Sequence, residues 1–269
     1  MIHNILQSKG TRLFIVLAGF FITNALVAEV IGVKIFSLED TLGIPRASIP
    51  IFGSPFSFHL TAGVLLWPVV FIMTDIINEY YGPRGVKFLS YLAMGLIAFS
   101  FLAYQAAIAL SPSEYFSIGH GIERANDAFG GIFGQGLWII IGSIVAFWIG
   151  QLLDVLVFHR IKRHTGEKHI WLRATGSTLV SQLVDSFVVL FIAFYVGKRI
   201  QTDQGTAWSM HQVMVTGMGN YIYKFIVALL MTPVIYLVHN LIEKYLGKPT
   251  AAEMKKAAMY NSEPLPAAS

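Results

Sequence analysis

The chain lacks cysteine and carries few charged residues. Without cysteine it can form neither disulfides nor thiolate metal sites, and it has no cysteine nucleophile. Charged residues make up 13% of its 269 residues, whereas soluble domains carry roughly 25%. A soluble fold so poor in charge could not cover its surface, so we expect lipid to solvate part of the protein. The formal net charge of +4 is small, and we expect no nucleic-acid partner.

Several catalytic and nucleotide-binding motifs are also missing. The sequence has no G-x-x-x-x-G-K-[ST] loop, so we expect that this chain does not itself hydrolyse ATP. It has no H-E-x-x-H pair and no G-x-S-x-G elbow. We therefore expect a protein that is not an enzyme and that needs no cofactor and no metal. A membrane enzyme or a cation channel built on buried carboxylates is the alternative from another functional class.

Long apolar segments dominate the sequence. About 20 apolar residues in a helix cross the core of a bilayer, and six segments have this length, at 12–34, 58–81, 86–110, 136–162, 176–197 and 213–242. A single chain with such segments satisfies its backbone hydrogen bonds as helices, and the alternating segments typical of a membrane β-barrel are not found. The sequence predicts an all-α integral membrane protein with six transmembrane helices in one domain, residues 1–248.

The segments outside these spans have simple interpretations. The first apolar stretch continues past "ALVA" (25–28) to Lys34, which is typical of a retained span rather than a cleaved signal peptide. Residues 35–57 are rich in Gly, Pro and Ser and predict an ordered external loop or hairpin. Residues 249–269 predict a disordered cytoplasmic tail.

The distribution of Lys and Arg predicts the orientation. Thirteen of them lie in segments on the side of the amino terminus and five on the opposite side. Cytoplasmic loops carry the excess of Lys and Arg, so both termini are expected in the cytoplasm. Five of the thirteen lie in "HRIKRHTGEKHIWLR" (159–173). This segment is interpreted as a topology determinant that contacts anionic lipid, and a docking site for a cytosolic partner is the alternative.

Charged residues inside or at the ends of the spans are the main functional signal. They are Glu29, Asp75, Glu79, Asp154, Asp185 and Lys224. Each deeply placed charge costs at least about 2.5–3.5 kcal/mol if it faces lipid. These side chains should therefore face one another or a cavity that contains water.

Their spacing favours a shared cavity. Asp75, Asn78 and Glu79 stand at positions i, i+3 and i+4 and so project from one helical face. The fourth and fifth spans each contain Gln-x-x-Asp, which hints at an internal repeat. The candidate binding residues are Asn24, Glu29, Trp67, Asp75, Asn78, Glu79, Gln151, Asp154, Gln182, Asp185 and Lys224.

Each of these residues also has a structural interpretation. Gln151 and Gln182 could hydrogen-bond between helices without any ligand, and Glu79 could extend to the membrane interface. Lys224 could serve only as a charge partner for an acid, and Trp67 only for packing. Pro68 and Pro233 are predicted to bend their helices.

The polar motifs resemble those of a known family. "TDIINEYYGPRG" (74–85) is similar to the D-x-x-N-E-x-Y-G signature of the YhhQ-type queuosine precursor transporters, in the vitamin uptake transporter family. The similarity continues through 133–154, 171–187 and 223–236 and covers about residues 12–245. The family's motifs map onto Asp75, Asn78, Glu79, Gly82, Gln135, Ser143, Gln151, Asp154, Arg173, Ser177, Gln182, Asp185, Lys224 and Pro233. The 35–57 segment is longer than this family leads one to expect.

The resemblance implies import of 7-cyano- or 7-aminomethyl-7-deazaguanine across the bacterial inner membrane, for salvage of the tRNA nucleoside queuosine. The residue types suit such a base, because a carboxylate accepts two adjacent N–H groups in a bidentate pair. Excess acids would permit coupling to protons. The second interpretation is a substrate-binding subunit of an energy-coupling-factor transporter, whose six-helix architecture the chain resembles and which an ATPase-containing module would energise.

Overall fold

A computed structural model describes residues 8–46, 48–116, 124–134, 136–165, 169–200 and 207–260. Within these residues, five helical stretches are long and apolar enough to cross a membrane. They are Lys9–Ile31, Trp67–Ile108, Ala125–Thr165, Trp171–Ile200 and Met210–Leu246. The prediction of a mostly helical membrane protein is therefore confirmed.

The first helix, α1 (Lys9–Ile31), leads into a compact segment of short strands. Strand β1 (Ile35–Ser37) pairs antiparallel with β4 (His59–Thr61), and β2 (Ile49–Ile51) pairs antiparallel with β3 (Ser54–Phe56). A short helix, α2 (Leu38–Leu42), lies between β1 and β2. Residues 35–61 thus form one hairpin nested inside another, which is the ordered structure that the sequence predicts for most of this segment.

An exposed ion pair closes the loop that follows α2. The Arg46 guanidinium lies 2.7 Å from an oxygen of Asp40. Its hydrogen bond and charge hold the pKa of the Asp40 carboxyl below the ordinary value. Glu39 is buried and its Oε1 accepts a hydrogen bond from the Phe58 amide at 2.9 Å, which ties α2 to the start of the returning strand.

The second predicted span begins later than the sequence indicates. Residues His59–Thr61 form strand β4, and a 3₁₀ turn (Ala62–Leu65) precedes helix α3 (Trp67–Ile108). Pro68 lies in the first turn of α3, where its missing N–H has no intrahelical partner to lose. The predicted bend at Pro68 is therefore wrong, since this proline starts the helix.

Helix α3 reverses direction at Gly82. Its backbone angles there are φ 72° and ψ −176°, a region open to glycine but not to residues with a Cβ. Thr74 and Ser90 lie on opposite sides of this break, yet both donate hydrogen bonds to Gln151 Oε1, at 3.4 and 3.3 Å. Sixteen residues of straight helix would separate them by about 24 Å. The two limbs of α3 therefore run side by side, and this one element contains most of the segments predicted as 58–81 and 86–110.

In the described residues up to 246, five more helices follow, and three of them extend past the predicted ends of their spans. The five are α4 (Ala125–Phe133), α5 (Leu137–Thr165), α6 (Ile170–Leu190) with a π-helical continuation (Phe191–Gly197), the short α7 (Lys198–Ile200) and α8 (Met210–Leu246). The predicted segments 136–162, 176–197 and 213–242 fall largely within them. Pro233 lies inside α8.

The end of the described chain is helical rather than disordered. Residues Lys248–Tyr260 form helix α9, so the predicted disorder is wrong for this part, and residues 261–269 lie outside the described residues. The segment is rich in Ala, Lys and Met, which favour helices. Ala251 and Ala258 are buried, and Met254 packs against the core. An apolar face at these spacings explains why α9 docks on the bundle instead of remaining in solvent.

Packing defines two ends of the bundle. The hairpin end carries β1–β4. The opposite end, here called the Gly82 end, brings together the start of α1, the turn of α3 and helix α9. There the Tyr81 hydroxyl donates to the Gly10 carbonyl at 2.7 Å, and Lys9 Nζ donates to the Tyr245 carbonyl at 3.0 Å. A continuous core from α1, both limbs of α3, α5 and α8 connects the two ends.

Candidate functional site

Two cavities lie between the helices and share one wall. The vestibule, on the hairpin side, is lined by polar residues of four helical elements and of β4, among them His59, Glu29, Ser143, Asp185 and Asn220. The central cavity is the smaller of the two and includes Asp75, Thr175, Thr178 and Gln182. Val64, Trp67, Tyr223 and Lys224 line both. The vestibule has a volume of about 460 Å³ and the central cavity about 40 Å³.

The central cavity presents polar atoms that other described residues leave unsatisfied. Asp75 projects from α3 and is 2% exposed, and its Oδ1 has no hydrogen-bond partner in the described part of the chain. Gln182 on α6 is also buried, with Oε1 equally unpartnered among those residues. Trp67 and Tyr223 bring aromatic surface to the same cavity. A carboxylate, a carboxamide and aromatic faces thus converge on one small space.

A second set of unsatisfied polar groups lies around Asp75. Both oxygens of Asp154 and both polar atoms of Asn78 lack hydrogen bonds within the described ranges, and both residues are buried. The charges of Asp75 and Asp154 act on each other. Most buried polar groups in folded proteins are hydrogen-bonded. This cluster therefore marks a place where water, a proton or a ligand completes the bonding.

Two serines adjoin Asp154 on the neighbouring helix. Ser177 and Ser181 interact with its carboxyl group, while in this geometry their hydroxyls donate to the Ala174 and Thr178 carbonyls at 3.1 and 3.0 Å. Because a hydroxyl can rotate, these donors can turn to the carboxylate when its charge requires them. Ser177 belongs to the motifs of the family resemblance, and its position explains that match.

The vestibule contains the remaining charged candidate residues, Glu29, Asp185 and Lys224. The Ser143 hydroxyl lies 3.0 and 2.9 Å from the two carboxylate oxygens of Glu29. Lys224 Nζ lies 2.5 Å from Asp185 Oδ2, and the two side chains are 20% and 23% exposed. Lys224 therefore has an acid partner, as the sequence allowed, and the pair stands where the two cavities meet.

Glu79 lies instead in a buried cluster of ion pairs at the Gly82 end. Its carboxylate lies 2.7 Å from Arg173 Nη2 and 3.1 Å from Lys162 Nζ, and all three side chains are 1% exposed. Arg173 also stands over the Phe158 ring. The interpretation of Lys162 and Arg173 as lipid-facing loop charges is wrong, as is that of Glu79 extending to the membrane interface. Helices α5 and α6 continue beyond their predicted ends and carry both cations into the bundle.

Two other candidate residues lie at neither cavity. The Asn24 amide donates to the Phe20 carbonyl of its own helix at 2.8 Å. Gln151 accepts hydrogen bonds from both limbs of α3. It therefore connects helices, which is the structural interpretation that the sequence offered for it. The two Gln-x-x-Asp motifs thus have unlike surroundings, because Gln182 lines the central cavity and Gln151 does not. Gln135 lies outside the described residues.

Sequence reasoning missed several residues at these cavities. Asn220 stands at i−4 relative to Lys224 on α8, and this spacing could have indicated it, whereas Tyr223, at i−1, is not marked by any such spacing. Spacing of four residues also links Asp154 to Lys162 through Phe158, and Arg173 to Ser181 through Ser177. These patterns could have predicted that the two cations face inward.

Comparisons with known proteins agree with this architecture. Residues 61–238 match the family described as "Putative vitamin uptake transporter". A "Probable queuosine precursor transporter" of Bacillus subtilis is 29% identical over 188 residues, 70% of this chain and 75% of the relative. One from Haemophilus influenzae is 30% identical over 196 residues, 71% and 73% of the two chains. The "Queuosine precursor transporter" of Escherichia coli is 28% identical over 141 residues, 51% and 57% of the two chains.

No solved structure matches the chain. The family match spans most of the described helical bundle, including the central cavity and the wall that both cavities share, whereas Glu29 and His59 of the vestibule precede it. Its relatives are transporters, which agrees with the missing catalytic motifs and with apolar helices that surround buried polar residues. The chain belongs to the vitamin uptake transporter family, and it is a multi-pass transporter of the bacterial inner membrane rather than an enzyme.

Proposed function

We propose that this transporter imports a queuosine precursor, 7-cyano- or 7-aminomethyl-7-deazaguanine, and that Asp75 holds the base in the central cavity. The observation that carries the proposal is the buried, unsatisfied Asp75 carboxylate facing Gln182 across a small cavity with aromatic walls. The names of the three bacterial relatives support the choice of substrate.

The chemistry of the base suits this arrangement. A deazaguanine presents N1–H and an exocyclic amino group side by side, and a carboxylate accepts both in a bidentate pair. The Gln182 carboxamide can donate to the base oxygen and accept from a ring N–H. Trp67 or Tyr223 can stack on the face of the base, since every base has a π surface. The aminomethyl form is a cation and would gain further from Asp154, whose charge acts on the same region.

We further propose six membrane crossings with both termini in the cytoplasm, as in the substrate-binding subunits of energy-coupling-factor transporters. The side-by-side limbs of α3 support two crossings from one helix. The Gly82 end carries most of the Lys and Arg, including Lys9, Arg84 and Lys244. Because cytoplasmic segments carry this excess, the Gly82 end faces the cytoplasm and the hairpin end faces outward.

This orientation makes the described conformation open to the outside. The vestibule lies at the hairpin end, whereas the Gly82 end is closed by the cluster of Glu79, Lys162 and Arg173 and is covered by α9. The base would enter past His59 and Glu29 and leave after this cluster separates. Glu79 would then act in closing the pathway rather than in holding the base.

Energy for uptake can come from a proton. Two carboxyl groups as close and as buried as Asp75 and Asp154 do not both hold a charge without cost, so one of them is a natural proton carrier. Other charged groups near Asp75 are Glu79 and Arg173. The alternative is an ATPase-containing partner, and co-purification of such subunits with the tagged chain would favour it.

The substrate is tested by the queuosine content of tRNA. Bacteria unable to make the precursor and lacking their own importer would be supplied with low concentrations of 7-cyano-7-deazaguanine, with and without this chain. Restored queuosine that is lost in Asp75→Asn supports the proposal. If queuosine is not restored although the protein is present in the membrane, and the purified protein binds no deazaguanine, the proposed substrate is wrong.

A further inference from the structure

The two cavities differ in whether a base fits them. The vestibule, at about 460 Å³, lies within the range of small-molecule sites, roughly 300–1,000 Å³. The central cavity, at about 40 Å³, has room for only a few water molecules. In this conformation a deazaguanine can occupy the vestibule, whereas entry to the central cavity requires its walls to move.

We propose that the vestibule is a separate, first binding site for the base, formed around Glu29 and Ser143 and occupied before Asp75 is reached. The inference rests on the proposed function and adds a second site to it. Its ligand is a neutral or cationic planar base with adjacent N–H donors. Transport would then proceed from the vestibule to the central cavity in two binding steps.

The position of the Glu29 carboxylate supports this site. The Ser143 hydroxyl contacts both Glu29 oxygens, at 3.0 and 2.9 Å, and so fixes a carboxylate on α1 against α5 across the cavity. A carboxylate has about four acceptor positions. A base that enters the vestibule can therefore offer its paired N–H groups to Glu29 beside its present partners or in exchange for one of them.

The lining also explains which compounds the vestibule would reject. Glu29 and Asp185 bring two acids to it, and among its described lining residues the one Lys or Arg is Lys224, which Asp185 already contacts. A phosphate group there would meet an acidic wall, and like charges at short range repel. The vestibule therefore favours free bases over nucleotides before any contact with Asp75.

Lys224 and Trp67 connect the two sites. Both residues line both cavities, so the base remains beside the indole ring of Trp67 as it moves inward. Lys224 is held on the vestibule side by Asp185 at 2.5 Å. Passage requires this ion pair to shift, which makes Asp185 a positioning residue for Lys224.

The absence of cysteine permits a direct test. Asn220→Cys places one thiol in the vestibule, and Leu42→Cys, at an exposed position on α2, provides a control thiol away from both cavities. The rate of thiol modification would be measured on purified protein, with and without 7-cyano-7-deazaguanine. Each cysteine would be tested alone and together with Asp75→Asn, Glu29→Gln, or both.

If the vestibule and the central cavity are separate sites, the base should protect the thiols from modification in a specific pattern. The base should slow modification of the Asn220→Cys thiol even with Asp75→Asn present, while uptake is lost. Adding Glu29→Gln should raise the concentration needed for protection by roughly ten- to hundredfold, since a charge-assisted pair is lost. The Leu42→Cys thiol should react at the same rate throughout.

Other results overturn the inference. Loss of protection on Asp75→Asn alone would show a single site, as would protection that is indifferent to Glu29→Gln. In both cases the proposed function stands if the protein without these changes still restores queuosine to tRNA. Failure of uptake and of protection in the protein with Asp75 and Glu29 intact would instead remove the proposed function and the inference together. If the Asn220→Cys protein does not fold, the base can be titrated directly into purified Asp75→Asn protein. Binding there would support a separate site in the vestibule, and no binding would show a single site.

Discussion

Lys162 Nζ lies 3.1 Å from the carboxylate of Glu79, and both side chains are 1% exposed. Two helices, α5 and α3, are thus joined by a charge pair inside the bundle, and Arg173 of α6 joins the same carboxylate. A charge so deeply placed depends on its partners, because removing one leaves an uncompensated charge away from water.

Substituting Glu79→Gln should therefore destabilise the protein strongly. Loss of a partner from a buried pair costs about 3–5 kcal/mol, and here two cations lose their acid together. The measurement is the thermal unfolding midpoint of the purified protein in detergent. Arg46→Gln provides the control, because its pair with Asp40 is more than half exposed and such surface pairs contribute little. Equal midpoints for both variants would contradict a structural role for the Glu79 cluster.

Substituting Asp75→Asn should abolish uptake, whereas Asn24→Ala should leave it nearly unchanged. Asp75 lines the central cavity with an unsatisfied oxygen, but Asn24 bonds to its own helix and lies at neither cavity. The loss of one charged, bidentate acceptor corresponds to roughly a tenfold to hundredfold weaker binding. Uptake of labelled base into cells expressing equal amounts of each variant measures the difference. Normal uptake by Asp75→Asn would exclude Asp75 as the residue that holds the base.

Substituting Gly82→Ala should destabilise the turn of α3, whereas Gly95→Ala should not destabilise the same helix. Gly82 adopts a positive φ of 72°, and a Cβ there would lie 3.0 Å from the Ala258 carbonyl oxygen. Such backbone strain costs about 1–3 kcal/mol. At Gly95 nothing lies within 4 Å of an added Cβ, and alanine favours a helix by up to about 1 kcal/mol. We expect the unfolding midpoint to fall for Gly82→Ala and to stay the same or rise for Gly95→Ala. The opposite result would contradict the change of direction of α3 at Gly82.

The Asp185–Lys224 pair should show coupling between its partners. Each side chain is about one-fifth exposed, so Asp185→Asn or Lys224→Met alone leaves a charge partly removed from water. The double variant removes both charges and should lose less stability than the sum of the two single changes. A thermodynamic cycle from the three unfolding midpoints gives the coupling. Strict additivity would mean that the contact does not stabilise the wall between the cavities.

Sequence reasoning reached the apolar helices and several polar residues of the two cavities, because charge inside an apolar segment is costly and therefore noticeable. Asp75, Lys224 and Glu29 were found by their charge, and Gln182 by its spacing from Asp185. It failed where helices continue beyond their apolar segments, since Lys162 and Arg173 resemble ordinary interfacial charges when hydropathy alone sets the boundary.

The start of the second span and the end of the chain failed for other reasons. Hydropathy does not separate a short apolar strand from the first turns of a helix, so residues 58–61 were assigned to the span. Helix α9 is stable through a tertiary contact with the turn at Gly82, and its polar overall composition hides the short apolar face of Ala251, Met254 and Ala258 that makes this contact. The split between vestibule and central cavity depends on the placement of Trp67 and Tyr223, which no spacing rule specifies.

The contact between Gly82 and Ala258 also sets an order on biosynthesis. The two residues are 176 positions apart in the sequence, and a ribosome adds about 5–20 residues each second. The turn thus leaves the translation machinery roughly 9 to 35 seconds before its partner helix exists. During that interval α9 cannot yet cover the turn. A chain cut short before residue 248 would enter the membrane without this cover at the Gly82 end.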